Sequence, residues 1–322
     1  MNTMERNPSE KRARSLSTSL MLLIILAVMF VLLGLRTEKF LSIGNIQNLF
    51  RQTAIYGVIA IGMTFVIMSG GIDLSVGAVV GLSGVLSSMF MSDQLAFKWS
   101  IPASIIVAVA ATTLIGLING VIIFDGKVPP FIATLGLQIV VRGTIMLITN
   151  AQMVSGISRA FRDFSTLPIL GFPALGWIWL GIAALSMLAI KYTTFGRNVF
   201  AIGSNTEAAR LSGINIRLTT YGVYIVCSFL CSVAGVMMTA RLGNGVPTGG
   251  IGYETDAIAA AVVGGASLSG AEGSIIGTVL GSLIMATLRN GGNLIGINSH
   301  LQEILIGLLI VLAVLLDKRR RK

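Results

Sequence analysis

The chain has 322 residues, 54% of them hydrophobic and only 11% charged, and so lacks the polar surface that a soluble protein of this length requires. Its 23 Lys and Arg against 13 Asp and Glu leave a net charge of +10. The basic residues gather at the ends of apolar runs and are not interleaved with aromatics, which favours the positive-inside pattern of a membrane protein over nucleic-acid binding.

The apolar runs are continuous, with none of the two-residue alternation of a barrel, so helices carry the fold. The 38 glycines scattered among them suit closely packed transmembrane helices. In chain order, a basic tail over 1–19 (Arg6, Lys11, Arg12, Arg14) precedes a first run at 20–35. No small-x-small cleavage pattern follows, since Leu35-Arg36-Thr37-Glu38 comes next, and a retained helix is expected. Further runs fall at 54–70, 76–92, 101–124, 131–149, 174–190, 219–240, 256–268, 275–288 and 301–316. An all-α membrane protein of about ten transmembrane helices is predicted. The runs at 256–268 and 275–288 are shorter than the roughly 20 residues of a straight span and point to broken or re-entrant segments.

Ten crossings from a cytoplasmic amino terminus return the carboxyl-terminal tail, 317–322, to the cytoplasm. The basic stretch 191–217 falls on the same side, in agreement with its charge, whereas an odd number would strand one basic tail outside. The outer connections, among them 36–50, 151–173 and 241–255, are too short to fold as domains, so capture of a solute from solution falls to another protein. Cys227 and Cys231 share one helix face and are expected to be small packing residues, with no metal site.

Four polar features interrupt this chain. Met68-Ser-Gly-Gly-Ile-Asp-Leu-Ser-Val-Gly77 puts a carboxylate where membrane insertion costs roughly 2.5–3.5 kcal/mol. Asp73 is expected either to cap a helix beginning at Leu74 or, with Ser75, to line a path or gate. Pro247-Thr-Gly-Gly-Ile-Gly-Tyr-Glu-Thr-Asp256 places Tyr253, Glu254 and Asp256 at a helix start. There the acids either answer the helix dipole or form an outer mouth that meets a sugar or a docking protein. Arg142, inside an apolar run, needs a carboxylate or several carbonyls, and an ion pair with Asp73 is expected. Asn119, Gln138, Asn150, Asn290, Asn293 and Asn298 supply neutral amides near helix ends, suited to a polyhydroxylated solute or to interhelical hydrogen bonds. The largest feature is the island from Lys191 to Asn215, the one stretch built to meet a water-soluble partner.

The sole Gly-Lys pair, Gly126-Lys127, is followed by Val128, so no phosphate loop is present. One histidine, no G-x-S-x-G and no H-E-x-x-H leave a membrane hydrolase without a catalytic set. The chain is not expected to be an enzyme.

Gly71-Ile-Asp-Leu-Ser-Val-Gly77, Phe131-Ile-Ala-Thr-Leu-Gly136 with Arg142-Gly143, Phe195-Gly-Arg-Asn198 with Glu207-Ala-Ala-Arg-Leu-Ser-Gly-Ile-Asn215, and Gly252-Tyr-Glu254 with Asp256-Ala-Ile-Ala-Ala260 occur in order. Together they resemble the ribose-type branch of ABC importer permeases for monosaccharides, a branch related more distantly to branched-chain amino acid permeases, over about Phe40 to Asp317. The resemblance implies a transport subunit in a bacterial plasma membrane, the inner one where there are two. It implies two permease subunits, identical or paired with a close relative, joined to two ATPases that carry ATP and magnesium, and a soluble binding protein that delivers the sugar. No cofactor is expected on this chain, and nucleic acid is not a partner. The ATPase would dock on a short helix around Glu207–Ser212, with Glu207 and Arg210 on it, Ala208 and Ala209 permitting close approach, and Gly213 ending it. Two positions depart from the pattern: Ala271-Glu272 stands where such permeases commonly carry a glycine and a basic residue, and Thr255 replaces a usual leucine. An ion-coupled secondary transporter, or a permease for another small solute such as a branched-chain amino acid, are the alternatives.

Overall fold

The computed structural model describes the backbone of residues 8–321 and the side-chain surroundings of residues 19–315. The basic clusters expected within 1–19 and 317–322 lie outside the residues whose side chains are described. The helices are α1 (Pro8–Arg36), α2 (Ile43–Met68), α3 (Val76–Met91), α4 (Ile101–Phe124), α5 (Pro130–Thr149), α6 (Arg159–Thr166), α7 (Ala174–Tyr192), α8 (Thr194–Ser204), α9 (Thr206–Leu211), α10 (Ile216–Leu242), α11 (Tyr253–Val263), α12 (Ile275–Leu294) and α13 (Ser299–Arg321). Each apolar run read from the sequence overlaps one of these helices, though 54–70, 76–92 and 256–268 run past the ends of α2, α3 and α11 by up to five residues. A two-residue hairpin, β1 (Pro168–Ile169) with β2 (Phe172–Pro173), follows α6.

Among the described residues, six helices are long and apolar enough to cross a membrane: residues 19–36 of α1, then α2, α4, α5, α7 and α10. α3 and the apolar part of α13 are shorter, and α12 ends in the polar Arg289-Asn-Gly-Gly-Asn293. This is a multi-pass helical membrane protein.

Burial ranks the helices. The apolar windows of α2 and α10 are each 78% buried, against 33% for α4 and 6% for α1. α2 and α10 therefore form the axis and α1 lies at the rim. Leu32, Ile106, Leu147 and Leu185 point outward at more than half exposure, which in a membrane is the lipid-facing surface.

Lipid is as apolar as leucine, so burial alone cannot hold such helices together; close approach and hydrogen bonds must do so. α10 meets α3 at Gly235, where a Cβ would run into the Val80 carbonyl. Around that crossing Ser83 Oγ donates to the Ser232 carbonyl at 2.7 Å, Thr239 Oγ1 to the Gly84 carbonyl at 3.1 Å, and Thr112 Oγ1 of α4 to Ser232 Oγ at 2.6 Å. Such bonds contribute about 0.6 kcal/mol each in membranes. α11 crosses α12 backbone to backbone at Gly264 and Gly277. α2 joins α12 through the hydroxyls of Thr64 and Thr278, 2.7 Å apart, and near their other ends through Asn45 and Asn290.

One connection departs from the expected topology. Residues 243–252, read as part of an outer loop, fold back along α3 instead. Gly245 lies against Ser88, the Gly249 carbonyl against Gly81, and the Gly250 carbonyl against Gly77 in the first turn of α3. α11 thus begins deep in the bundle, which is why 11 residues suffice for it.

Candidate functional site

At the break between α2 and α3, three residues singled out by sequence come together. Asp73 Oδ1 accepts from the Ser75 amide at 2.8 Å and from Ser75 Oγ at 2.6 Å, and Asn119 Nδ2 of α4 donates to Ser75 Oγ at 2.9 Å. α3 begins at Val76, not Leu74, because Asp73 closes a side-chain turn that delays the helix by two residues. Thr134 Oγ1 of α5 accepts from the Leu74 amide at 3.1 Å and holds the break from its other side.

The cluster extends to residues that sequence did not assign to it. The Cys227 thiol borders the Asp73 carboxyl, and a Cβ on Gly71 would strike the Tyr224 hydroxyl. Asp73 Oδ2, Asn119 Oδ1, the Tyr224 hydroxyl and Ser228 Oγ are buried with no protein partner. Buried polar atoms are nearly always paired in folded proteins, so water or a bound solute would complete these. The only sequence signal for Tyr224 was a polar residue within an apolar run. A cavity of about 210 Å³ adjoins the group, lined by Gly70, Gly71, Thr206, Thr219 and Tyr224 among others.

Arg142 does not pair with Asp73. Its Nη1 donates to the Pro247 and Gly249 carbonyls, both at 2.9 Å. This corrects the expected ion pair: the folded-back segment 243–252 brings carbonyls to the guanidinium, and two carbonyls satisfy it as a carboxylate would. Tyr253, Glu254 and Asp256 form no open mouth either. Tyr253 packs on Tyr56 of α2 with centroids 4.6 Å apart, and Asp256 Oδ1 receives Arg289 Nη2 at 2.7 Å in a buried ion pair. Glu254 is half-buried beside α3, with Gln138 Nε2 at 3.5 Å from one oxygen and the other unpartnered. Thr255 remains exposed.

The island folds as two short helices. Thr193 Oγ1 accepts from the Gly196 amide and starts α8; Asn205 Oδ1 accepts from the Ala208 amide at 2.9 Å and starts α9. α9 ends as its spacing predicts: Gly213 sits at φ 81°, and the Ser212, Gly213 and Ile214 amides return to the Ala208, Arg210 and Ala209 carbonyls. Glu207 and Arg210 pair at 2.8 Å on the exposed face. The two alanines separate, since Ala208 is exposed while Ala209 is buried. Only Ala208 therefore presents its methyl on the surface; Ala209 packs inward. Leu211, 81% exposed, stands beside it as an apolar knob.

Two ties join the island to the helices. Gly203 of α8 lies against the Met68 carbonyl at the end of α2, and the Ala271 amide donates to that same carbonyl at 2.9 Å. Arg217, at the start of α10, bonds Asp125 in the α4–α5 turn, 3.1 Å from either oxygen, and Tyr221 bonds the same carboxylate. The island thus touches the end of α2 two residues before the Gly70-Gly71 break that leads to Asp73. Ala271, where the resemblance expects glycine, holds a left-handed φ of 60°.

Fold and site define an integral membrane protein with a polar surface helix wired to a buried polar break. A family model described as branched-chain amino acid transport system / permease component matches residues 45–314, and the chain belongs to that family. Ribose import permease protein RbsC of Haemophilus influenzae is 40% identical over 298 residues, 91% of each chain. RbsC of Escherichia coli K12 is 39% identical over 304 residues, 93% of each chain. Xylose transport system permease protein XylH of Escherichia coli K12 is 34% identical over 372 aligned positions, covering 97% of this chain and 94% of its own. No solved structure matches.

Proposed function

We propose that this chain is the permease subunit of an ATP-driven importer that carries a ribose-like monosaccharide across a bacterial plasma membrane. The observation that carries the reading is identity near 40% to ribose import permeases along nine-tenths of both chains. The 34% identity to a xylose permease widens the cargo class to pentoses. The neutral hydroxyls and amides around Asp73 support a polyhydroxylated solute, because they exchange hydrogen bonds with sugar hydroxyls without calling for a counter-charge.

In this reading both termini and the island face the cytoplasm in a topology of about ten membrane segments. A partner ATPase docks on α9, around Glu207, Ala208, Arg210 and the exposed Leu211. Its closure pushes α8, and Gly203 passes the displacement to the end of α2, which moves the Gly70-Gly71 break and the Asp73 cluster behind it. Tyr253 and Glu254 border the same interior on the α11 side. A second permease subunit and a soluble binding protein complete the assembly, the latter because no outer connection is long enough to form a capture domain.

Proteoliposomes holding the permease, its ATPase and the binding protein decide the matter. Labelled ribose should accumulate only with ATP, whether or not proton and sodium gradients are collapsed. Uptake that follows an ion gradient and ignores ATP would overturn the reading in favour of a secondary transporter. ATP-driven uptake of leucine in place of ribose would keep the mechanism and replace the cargo.

A further inference from the structure

A second cavity, of about 250 Å³, lies at the end of the bundle remote from the island. Asn48 and Arg51 of α2, Ser165 and Thr166 at the end of α6, and Arg241 and Leu242 at the end of α10 line it. Arg51 stands 17 residues before Met68, or about 25 Å along the helix at 1.5 Å per residue. The cavity therefore belongs to neither the island nor the Asp73 cluster.

Its chemistry is one-sided. The like charges of Arg51 and Arg241 act on one another, and no carboxylate among the described residues forms an ion pair with either. Arg241 Nη2 approaches Asn48 Oδ1 at 3.4 Å, which leaves the Asn48 amide to donate. The Ser165 and Thr166 hydroxyls give their protons to the Arg162 and Asp163 carbonyls, so the free donors are the two guanidiniums and one amide. Two guanidinium forks on one cavity suit an oxyanion, with phosphate the best geometric match. At about 30 Å³ per water the space holds about eight waters, enough for a glycerophosphate group.

The rim decides where that phosphate comes from. Directly after Thr166 the chain exposes Leu167, Ile169 and Leu170, the last 92% exposed, with Trp177 beside them donating its indole N–H to the Ile169 carbonyl. This lip is pinned next to the cavity, since Gln47 reaches the Gly171 carbonyl and Phe50 packs on Phe172 with centroids 4.8 Å apart. A free oxyanion has no use for an apolar lip, and an aromatic beside exposed leucines is the usual composition of a membrane interface. A basic pocket between helix ends next to apolar surface matches a phospholipid, with its charged head inward and its chains outside.

We infer that the Arg51–Arg241 cavity binds the phosphate headgroup of an anionic phospholipid whose acyl chains lie over Leu167, Ile169 and Leu170. The site tethers the ends of α2, α6 and α10 through one lipid and makes their packing depend on the surrounding bilayer.

Native mass spectrometry of the purified full-length permease tests this with dioleoyl phosphatidylglycerol, dioleoyl phosphatidylcholine and glycerol 3-phosphate. One phosphatidylglycerol per chain should be retained at least tenfold better than phosphatidylcholine, and glycerol 3-phosphate should not displace it at equal concentration. The double variant Arg51→Gln/Arg241→Gln should lose that selectivity, and Leu170→Asp should weaken retention with both arginines intact. Equal retention of the two lipids by the unaltered protein would overturn the site without recourse to any variant. Glycerol 3-phosphate binding as well as the lipid would overturn it as a lipid site. A double variant that keeps the lipid but no longer binds a solute-delivery protein would reassign the cavity to an acidic protein surface.

Discussion

Gly203 presses against the carbonyl of Met68, so closely that a Cβ there would overlap the oxygen and come within 2.8 Å of the Ala271 amide nitrogen. One backbone contact thus joins α8, the end of the central helix α2 and the turn between α11 and α12. Gly203→Val should separate these three elements. Overpacking of this kind costs roughly 1–3 kcal/mol. The expected outcome is inserted permease with a lower melting temperature in detergent and at least a tenfold loss of solute-stimulated ATP hydrolysis; full stimulation in this variant would remove Gly203 from the transmission route.

The turn at Gly213 separates backbone conformation from space. Nothing lies within 4 Å of a Cβ built there, yet its φ is 81°. Gly213→Val forces a β-branched residue into the left-handed region, where about 1–2 kcal/mol opposes it, whereas asparagine tolerates that region. Valine should uncouple ATP hydrolysis from solute and asparagine should keep most of the coupling. If both variants behave alike, the shape of the turn is not what the partner reads.

Asp256 and Arg289 form an ion pair at 2.7 Å with the carboxylate side chain 5% exposed. Removing one member of a buried pair leaves the other uncompensated and costs about 3–5 kcal/mol. Asp256→Asn should therefore lower thermal stability sharply, and Asp256→Leu/Arg289→Met should recover most of it. Stability measurements on the single and double variants in one detergent check this.

Arg142 holds the folded-back segment through two carbonyls, not through Asp73. Exchanging the charges, Asp73→Arg with Arg142→Asp, should restore neither expression nor transport. Arg142→Lys keeps the charge but loses the fork, and should leave a cysteine placed at the half-buried Val246 more open to a water-soluble maleimide. Rescue by the exchange would overturn the carbonyl assignment.

Ala271 sits at φ 60°, a conformation that costs a non-glycine residue about 1–2 kcal/mol. Ala271→Gly should raise the melting temperature with transport unchanged; a lower melting temperature would show that its methyl packs usefully.

Local composition and spacing were enough to identify a helical membrane protein, its apolar segments and the island with its Gly213 stop. These depend on residues within a turn or two of one another, where hydropathy, capping side chains and left-handed glycines act directly. The Asp73, Ser75 and Asn119 set was legible as polar residues out of place, although not as one hydrogen-bonded chain. Tertiary structure alone decided the rest. It folded 243–252 along α3, gave Arg142 carbonyls in place of a carboxylate, set Asp256 against Arg289, turned Ala209 inward from Ala208 and brought Gly203 to Met68. Most of those pairings use backbone carbonyls, and partners up to 173 residues apart as for Gly77 with Gly250. Which carbonyl faces which glycine or guanidinium is settled only when the helices pack, and no residue type along the chain announces it.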